Sequence, residues 1–338
     1  MRETPPPLLA LVVAVLVLAP AVAGVTTAGP AVPGTTPTGP AAATDDAALG
    51  AETVPVIRAQ SNTTNYLDIR GRDVQRASYA ETSLDGSTTV GSAVTRLRGD
   101  YAIRSFEVAY ANATTEEAQT ALIRAEVNRL AARIDSLESR QSDALGDYND
   151  GDISARRFVA ELAAVDAGAE SVESQFDRIV DRAGVFMPSE LQTRINDLRA
   201  DLIPLRGPVR NRVAAAMAGE RPATDVYMLT SPSGIVVTAV DGERFYREAY
   251  LAANRDPDGE DNFVTGDDST GLIPAIDRAS ELYPWVYSRT SPGISRQGAS
   301  SVYTISVDHN QGRLVSNIDG ATRNVFYEIQ TLQTNRVP

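Results

Sequence analysis

TTEEAQTALIRAEVNRLAARIDSLESRQSDALGDYNDGDISARRFVAELAAVDAGAESVESQFDRIVDRA, residues 114–183, is the stretch whose reading decides the fold. In its first half Ile123, Val127, Leu130, Ile134, Leu137, Gln141 and Ala144 recur at alternating spacings of four and three. In its second half Phe158, Leu162, Val165, Ala169, Val172, Phe176, Ile179 and Ala183 do the same. A period of 3.5 residues held this long specifies helices that wind around a partner. The joining segment, Gly146 to Ile153, is too short to reach back along a helix of roughly 45 Å, so the two helices must run antiparallel. The expectation is an antiparallel coiled-coil hairpin.

The same joining segment invites a calcium reading, because Asp147-Tyr148-Asn149-Asp150-Gly151-Asp152 between two helices is close to the spelling of a calcium loop. Its Gly falls at the fifth place where the sixth is required, and Phe158 occupies the place of the closing acid. The turn reading accounts for it: Gly151 supplies a positive φ and Ser154 caps the second helix.

Working outward, Thr114-x-x-Glu117 is a capping box that opens the first long helix. Upstream, Asn65 to Ile69 alternates like a short strand or an extended lead-in. A helix capped by Ser87 or Thr88 carries Val90, Val94, Leu97, Tyr101 and Val108 on one face, interrupted by Arg104. Downstream, Pro188 opens a further segment with Leu191, Ile195, Leu198, Leu202 and Leu205 at four-three spacing, until Pro204 and Gly207-Pro208 break it. Four helices joined by short connections make an elongated up-down bundle, or a hairpin with two shorter helices docked at its base.

At residues 219–222 helical periodicity gives way to alternation. Tyr227 to Leu229, Gly234 to Gly242 and Phe245 to Glu248 are echoed by Tyr303 to Val307, Gly312 to Gly320 and Phe326 to Glu328. Each copy is a strand, a turn, a second strand ending in Asp-Gly, and an aromatic-acidic segment. A helix over residues 274–282 lies between them. The economical architecture is one antiparallel sheet with helices on one face. The chain is therefore read as α+β: a long antiparallel helical hairpin within a bundle over 55–220, then a small α+β domain of antiparallel hairpins over 221–338.

Residues 274–282, Tyr303-x-Ile305-x-Val307-Asp308, Gly312-x-Leu314 and Ile318-Asp319-x-x-Thr322 resemble the PepSY module found in protease propeptides and exported proteins. The resemblance covers about 270–330, with a looser echo over 226–250. It departs from the pattern at Arg323, where a Gly usually stands, and at Arg244 in the first copy. It implies a regulator or inhibitor of a secreted protease. Asn-Thr-Thr-Asn-Tyr at residues 62–66 and Tyr283-Pro284-Trp285 resemble features of uncharacterised secreted proteins of haloarchaea, a likeness that carries no activity.

Acidic residues outnumber basic ones 44 to 31, and every basic residue is Arg. That balance argues against nucleic-acid and anionic-lipid partners, which need positive fields. It also matches the surfaces of proteins adapted to concentrated salt, where carboxylates hold water and keep molecules dispersed. Arg2, the apolar run from Leu8 to Val22 and Ala21-Val22-Ala23 before Gly24 read as a Sec-type export signal over 1–23, the alternative being a retained anchor. A Thr/Pro/Ala-rich spacer follows over 24–54. Export makes Asn62 and Asn112 glycosylation acceptors. With no Cys there is no disulfide framework and no thiolate metal site.

Candidate chemistry is sparse. One histidine, His309, builds neither a zinc site nor a triad. Asp256, Asp258, Glu260 and Asp261 form an acidic loop that suits calcium or simply faces solvent. Tyr283, Trp285 and Tyr287 form an aromatic patch for a partner, or belong to the core. No cofactor is implied. The sequence favours a non-enzymatic envelope protein that binds a protein partner or a second copy through its helical hairpin.

Overall fold

The computed structural model describes residues 66–334, apart from 267, 285–292, 298–300 and 310. The export signal, the spacer and Asn62 lie outside the described residues, as do Trp285 and Tyr287. All described residues belong to one compact unit, Ala59–Pro338.

The helical part comprises α1 (Gly86–Asn112), α2 (Glu116–Asp150), α3 (Ala155–Ala183), α4 (Ser189–Leu202) and α5 (Pro208–Met217). Every residue of the two heptad series is buried in α2 and α3. Arg129 donates to Gln175 at 2.6 Å and Arg140 pairs with Glu161 at 2.6 Å, so contacts close up toward the turn and the helices are antiparallel. Helix α2 runs five residues further than the sequence reading allowed, to Asp150. Its last turn gains a buried Tyr148, whose ring stacks on Phe158 with centroids 4.6 Å apart. Gly151, at φ +91°, then ends the helix in the left-handed conformation that favours glycine. Ser154 caps α3 by accepting from Arg157 N–H at 3.2 Å. The cap of α2 is Thr115, one residue beyond the expected Thr114; its hydroxyl accepts from Ala118 N–H.

Among the described residues eight strands form a single antiparallel sheet in the order β1-β2-β3-β4-β8-β7-β6-β5. They are β1 (Arg76–Thr82), β2 (Thr224–Ser231), β3 (Gly234–Asp241), β4 (Arg244–Leu251), β5 (Gly293–Gln297), β6 (Val302–His309), β7 (Gly312–Asp319) and β8 (Val325–Gln333). The two sequence repeats become two meanders, β2-β3-β4 and β6-β7-β8, whose third strands meet at the centre of the sheet. Residues 66–69 contribute an extended lead-in that buries Leu67 and Ile69.

One expectation is corrected. Helices cover both faces of the sheet, not one. Consecutive residues of β3 show why: Ile235 and Val237 pack with α3 and α5, whereas Val236 between them packs with α6 (Leu272–Leu282). Residues on the two sides of 220/221 share a core. Strand β1 comes from the helical side of that line, and one apolar cluster joins Tyr148, Phe158 and Val213 to Val226, Met228 and Val237. Ala80 and Thr82 face that cluster, and the Thr82 hydroxyl donates to Thr224 O at 2.8 Å.

Candidate functional site

Helix α1 is apolar on two sides. One side, through Gly99, Phe106 and Tyr110, packs on the bundle; a Cβ on Gly99 would collide with Ser171 Oγ of α3, so the backbones approach closely there. On the far side Val90, Val94, Leu97, Tyr101 and Val108 are 63, 38, 69, 74 and 62 % exposed, and Leu84, just before the helix, is 67 % exposed. The stripe read from the sequence thus points outward. A helix with apolar residues on two faces is built to be covered on both. Single exposed apolar residues are ordinary, but five aligned along one helix, with Leu84 just before it, form a patch of the kind that marks an interaction surface.

A second constellation lies where the helices meet the sheet. Glu248 of β4 is 1 % exposed and faces Arg210 of α5, itself 2 % exposed, with Oε2 3.2 Å from Nε. Its Oε1 accepts from the N–H of Val209 and of Arg210. Arg210 also donates to Gln141 of α2 at 2.6 Å, so one guanidinium ties sheet, α5 and α2 together. Gly207 makes this approach feasible, because a Cβ there would lie inside the Glu248 carboxylate. Its N–H donates to Asp166 at 2.8 Å. Burial raises Glu248 to about 7, against the pull of Arg210; burial likewise raises Asp166 to about 6, against the Gly207 N–H.

On the opposite face Glu328 of β8 accepts from Tyr283 O–H at 2.6 Å, Leu67 N–H at 3.0 Å and Arg247 at 3.1 Å. Burial raises it above the usual carboxylate range, against Arg247. Beside the first cluster, a cleft of about 540 Å³ opens between α3, the α4–α5 connection and the face of β6–β8. Asp166, Glu173, Arg199, Arg206, Asn317 and Tyr327 line it. Its charges are largely turned on one another: Arg199 lies 3.2 Å from Glu173 and 2.5 Å from Asp177. These groups hold layers together; among the described residues no other element covers the α1 stripe.

Residues 1–222 match the family described as Domain of unknown function (DUF7096). The chain belongs to that family. Residues 226–338 match a second one, described as Family of unknown function (DUF7094). No curated protein matches, and no solved structure does. The two DUF matches meet just where β2 begins, between residues 222 and 226.

In this DUF7096 chain the residues singled out from sequence are scattered. Asn112 is exposed at the end of α1. Asp256, Asp258 and Glu260 are exposed. Asp261 instead turns inward, accepting from Tyr303 O–H at 2.8 Å and from Phe263 N–H at 3.0 Å. The four carboxylates therefore do not converge, and among the described residues no three acidic or histidine side chains gather as a metal site. The aromatic patch is corrected at Tyr283: it is 2 % exposed and its hydroxyl is spent on Glu328, which makes it core. His309 ends β6 half-buried, its Nδ1 accepting from Gln311 N–H at 3.3 Å. Sequence reasoning missed Arg210, Glu248 and Glu328. The available signal was a charge at inward-facing places in otherwise apolar strands, as in Phe245-Tyr246-Arg247-Glu248-Ala249-Tyr250.

Proposed function

We propose that this protein is a non-enzymatic interaction or scaffold protein exported to the cell envelope. The outward apolar stripe of α1 supports this reading above all, because an exposed apolar helix face suits contact with a partner. Antiparallel α2 and α3, read as a coiled-coil hairpin from their heptads, give α1 a stiff support. The acidic, lysine-free composition and the leader-like residues 1–23 support export into a salty surrounding. Among the described residues no helix is long and apolar enough to cross a membrane.

A crosslinked pull-down from the host envelope at growth salt tests it, comparing the native chain with a Leu97→Glu, Tyr101→Glu variant. The proposal expects discrete envelope proteins or further copies of the chain, lost with the variant. Identical recovery from both would remove the stripe from the function.

A second reading, regulation of a secreted protease, rests on the PepSY resemblance of about 270–330, where α6 precedes the β6-β7-β8 meander. It expects the full chain to slow a secreted host protease at high salt. An unchanged progress curve counts against it.

A further inference from the structure

We propose that the α1 stripe is covered by a second copy of this chain, the two α1 helices pairing antiparallel about a two-fold axis. This rests on the interaction reading above and names its partner. Val90, Val94, Leu97, Tyr101, Arg104 and Val108 follow the alternating four-three spacing of a helix–helix seam. The seam has one charged member, Arg104, flanked by Arg98 on one side and Asp100 and Glu107 on the other.

These charges choose the pairing. A parallel pair sets Arg104 against Arg104 of the other copy inside the seam, where two guanidiniums lose water and repel. An antiparallel pair centred between Leu97 and Tyr101 brings Arg98 to Arg98 and Asp100 to Asp100. Shifting it one heptad toward the end of α1 brings Asp100 to Glu107. Shifting it the other way, to a centre between Val94 and Leu97, relieves all of these. Arg98 then lies by Gly91, Asp100 by Ala93, and Arg104 reaches the open end of the seam near Ser87.

That same register pairs every exposed apolar residue of the stripe: Val90 with Tyr101, Val94 with Leu97, and Leu84 beside Val108, each twice. Like charges set apart and apolar residues matched in one register is the self-complementarity an isologous dimer requires. The area agrees. The six residues expose on the order of 600–700 Å² per copy, against ~800 Å² per partner in a standard interface, and the flanking side chains make up the rest. The formal charge of −13 on each copy opposes association at low salt and is screened in molar salt, so the dimer strengthens as salt rises.

The chain contains no cysteine, so introduced thiols report without ambiguity. Full-length Val90→Cys and Tyr101→Cys proteins are oxidised in molar salt, separately and mixed, and run on non-reducing gels beside light scattering. The proposal expects a disulfide-linked dimer in the mixture and little in either variant alone. It also expects Leu97→Glu to weaken dimerisation at least about tenfold while leaving thermal unfolding of the monomer unchanged. Crosslinking of each variant with itself would overturn the antiparallel register. A monomer at every concentration would overturn the second copy as occupant. If Leu97→Glu nevertheless strips envelope proteins from the pull-down, the interaction reading survives and only its partner changes; if it strips nothing, both fall.

Discussion

Glu248 and Glu328 sit on adjacent central strands, yet their carboxylates point to opposite faces of the sheet. Glu248 stands opposite Ile329 and Glu328 opposite Ala249, and one step along a strand reverses the side. Each is fully buried and each meets an arginine from a different element: Arg210 of α5 below, Arg247 of β4 above. The centre of the sheet is thus tied through charge to α5 on one face, while on the other Arg247 pairs with Glu328 within the sheet and Tyr283 O–H and Leu67 N–H link Glu328 to the covering layer.

Breaking such a pair costs more than the pair contributes, because the surviving polar group stays buried without its partner. Arg210→Met is expected to lower unfolding stability by about 3–5 kcal/mol. Adding Glu248→Leu to it should recover at least about 1 kcal/mol. Urea titrations of the two single variants and the double variant check this; strict additivity would show that the two side chains do not interact.

Glu248, at about 7, and Asp166, at about 6, keep protons in the native state that the unfolded chain releases near 4.5 and 3.8. The sign follows directly. Their contribution to stability is fully present below those unfolded values and is lost as pH rises through 6 to 7. The loss is on the order of a few kcal/mol for the two together. Thermal melts between pH 4.5 and 8 should show this fall, and Glu248→Gln should flatten it. An equally steep profile in the variant would assign the titration elsewhere.

Gly207 is required for space, its backbone being extended. Gly207→Ala places a methyl group where the Glu248 carboxylate lies and displaces α5 from the sheet. A loss of about 1–3 kcal/mol is expected, the range for overpacking a tight site. Chemical denaturation measures it, and a change below about 0.5 kcal/mol would mean that the carboxylate moves aside freely.

Leu97 and Leu137 occupy the same kind of heptad position with opposite burial, 69 % and 1 % exposed. At concentrations where the chain is monomeric, Leu97→Ala should change stability by less than about 0.5 kcal/mol, whereas Leu137→Ala should cost about 2–5 kcal/mol. Comparable losses from both would place the α1 stripe inside the fold.

That contrast marks how far the sequence could be read. The periodicity of Ile123 to Ala144 and of Phe158 to Ala183 locates two helices and the faces they bury, because a heptad specifies both. The same periodicity over Val90 to Val108 locates a helix and a sticky face but carries no word on whether this chain or another covers it. Strand β1 escaped because Arg76-Ala-Ser-Tyr-Ala-Glu-Thr buries only its two small residues Ala80 and Thr82, too little apolar alternation to register. Its place in the sheet is set by Tyr148 and Thr224, far away in the chain. Likewise, alternation in the two repeats reveals the strands, but a buried arginine–glutamate pair looks locally like a break in the pattern.

The pairing of Thr82 with Thr224 has a further consequence. Between these hydrogen-bonded neighbours the chain makes an excursion of roughly 140 residues, so β1 cannot join the sheet until every helix from α1 to α5 has been made and β2 has emerged. Five helices are in effect the loop of one β-hairpin. A cut between the two DUF matches would therefore leave an orphan strand on one fragment and a raw sheet edge on the other, and the two segments are expected to be inherited together as a single folding unit.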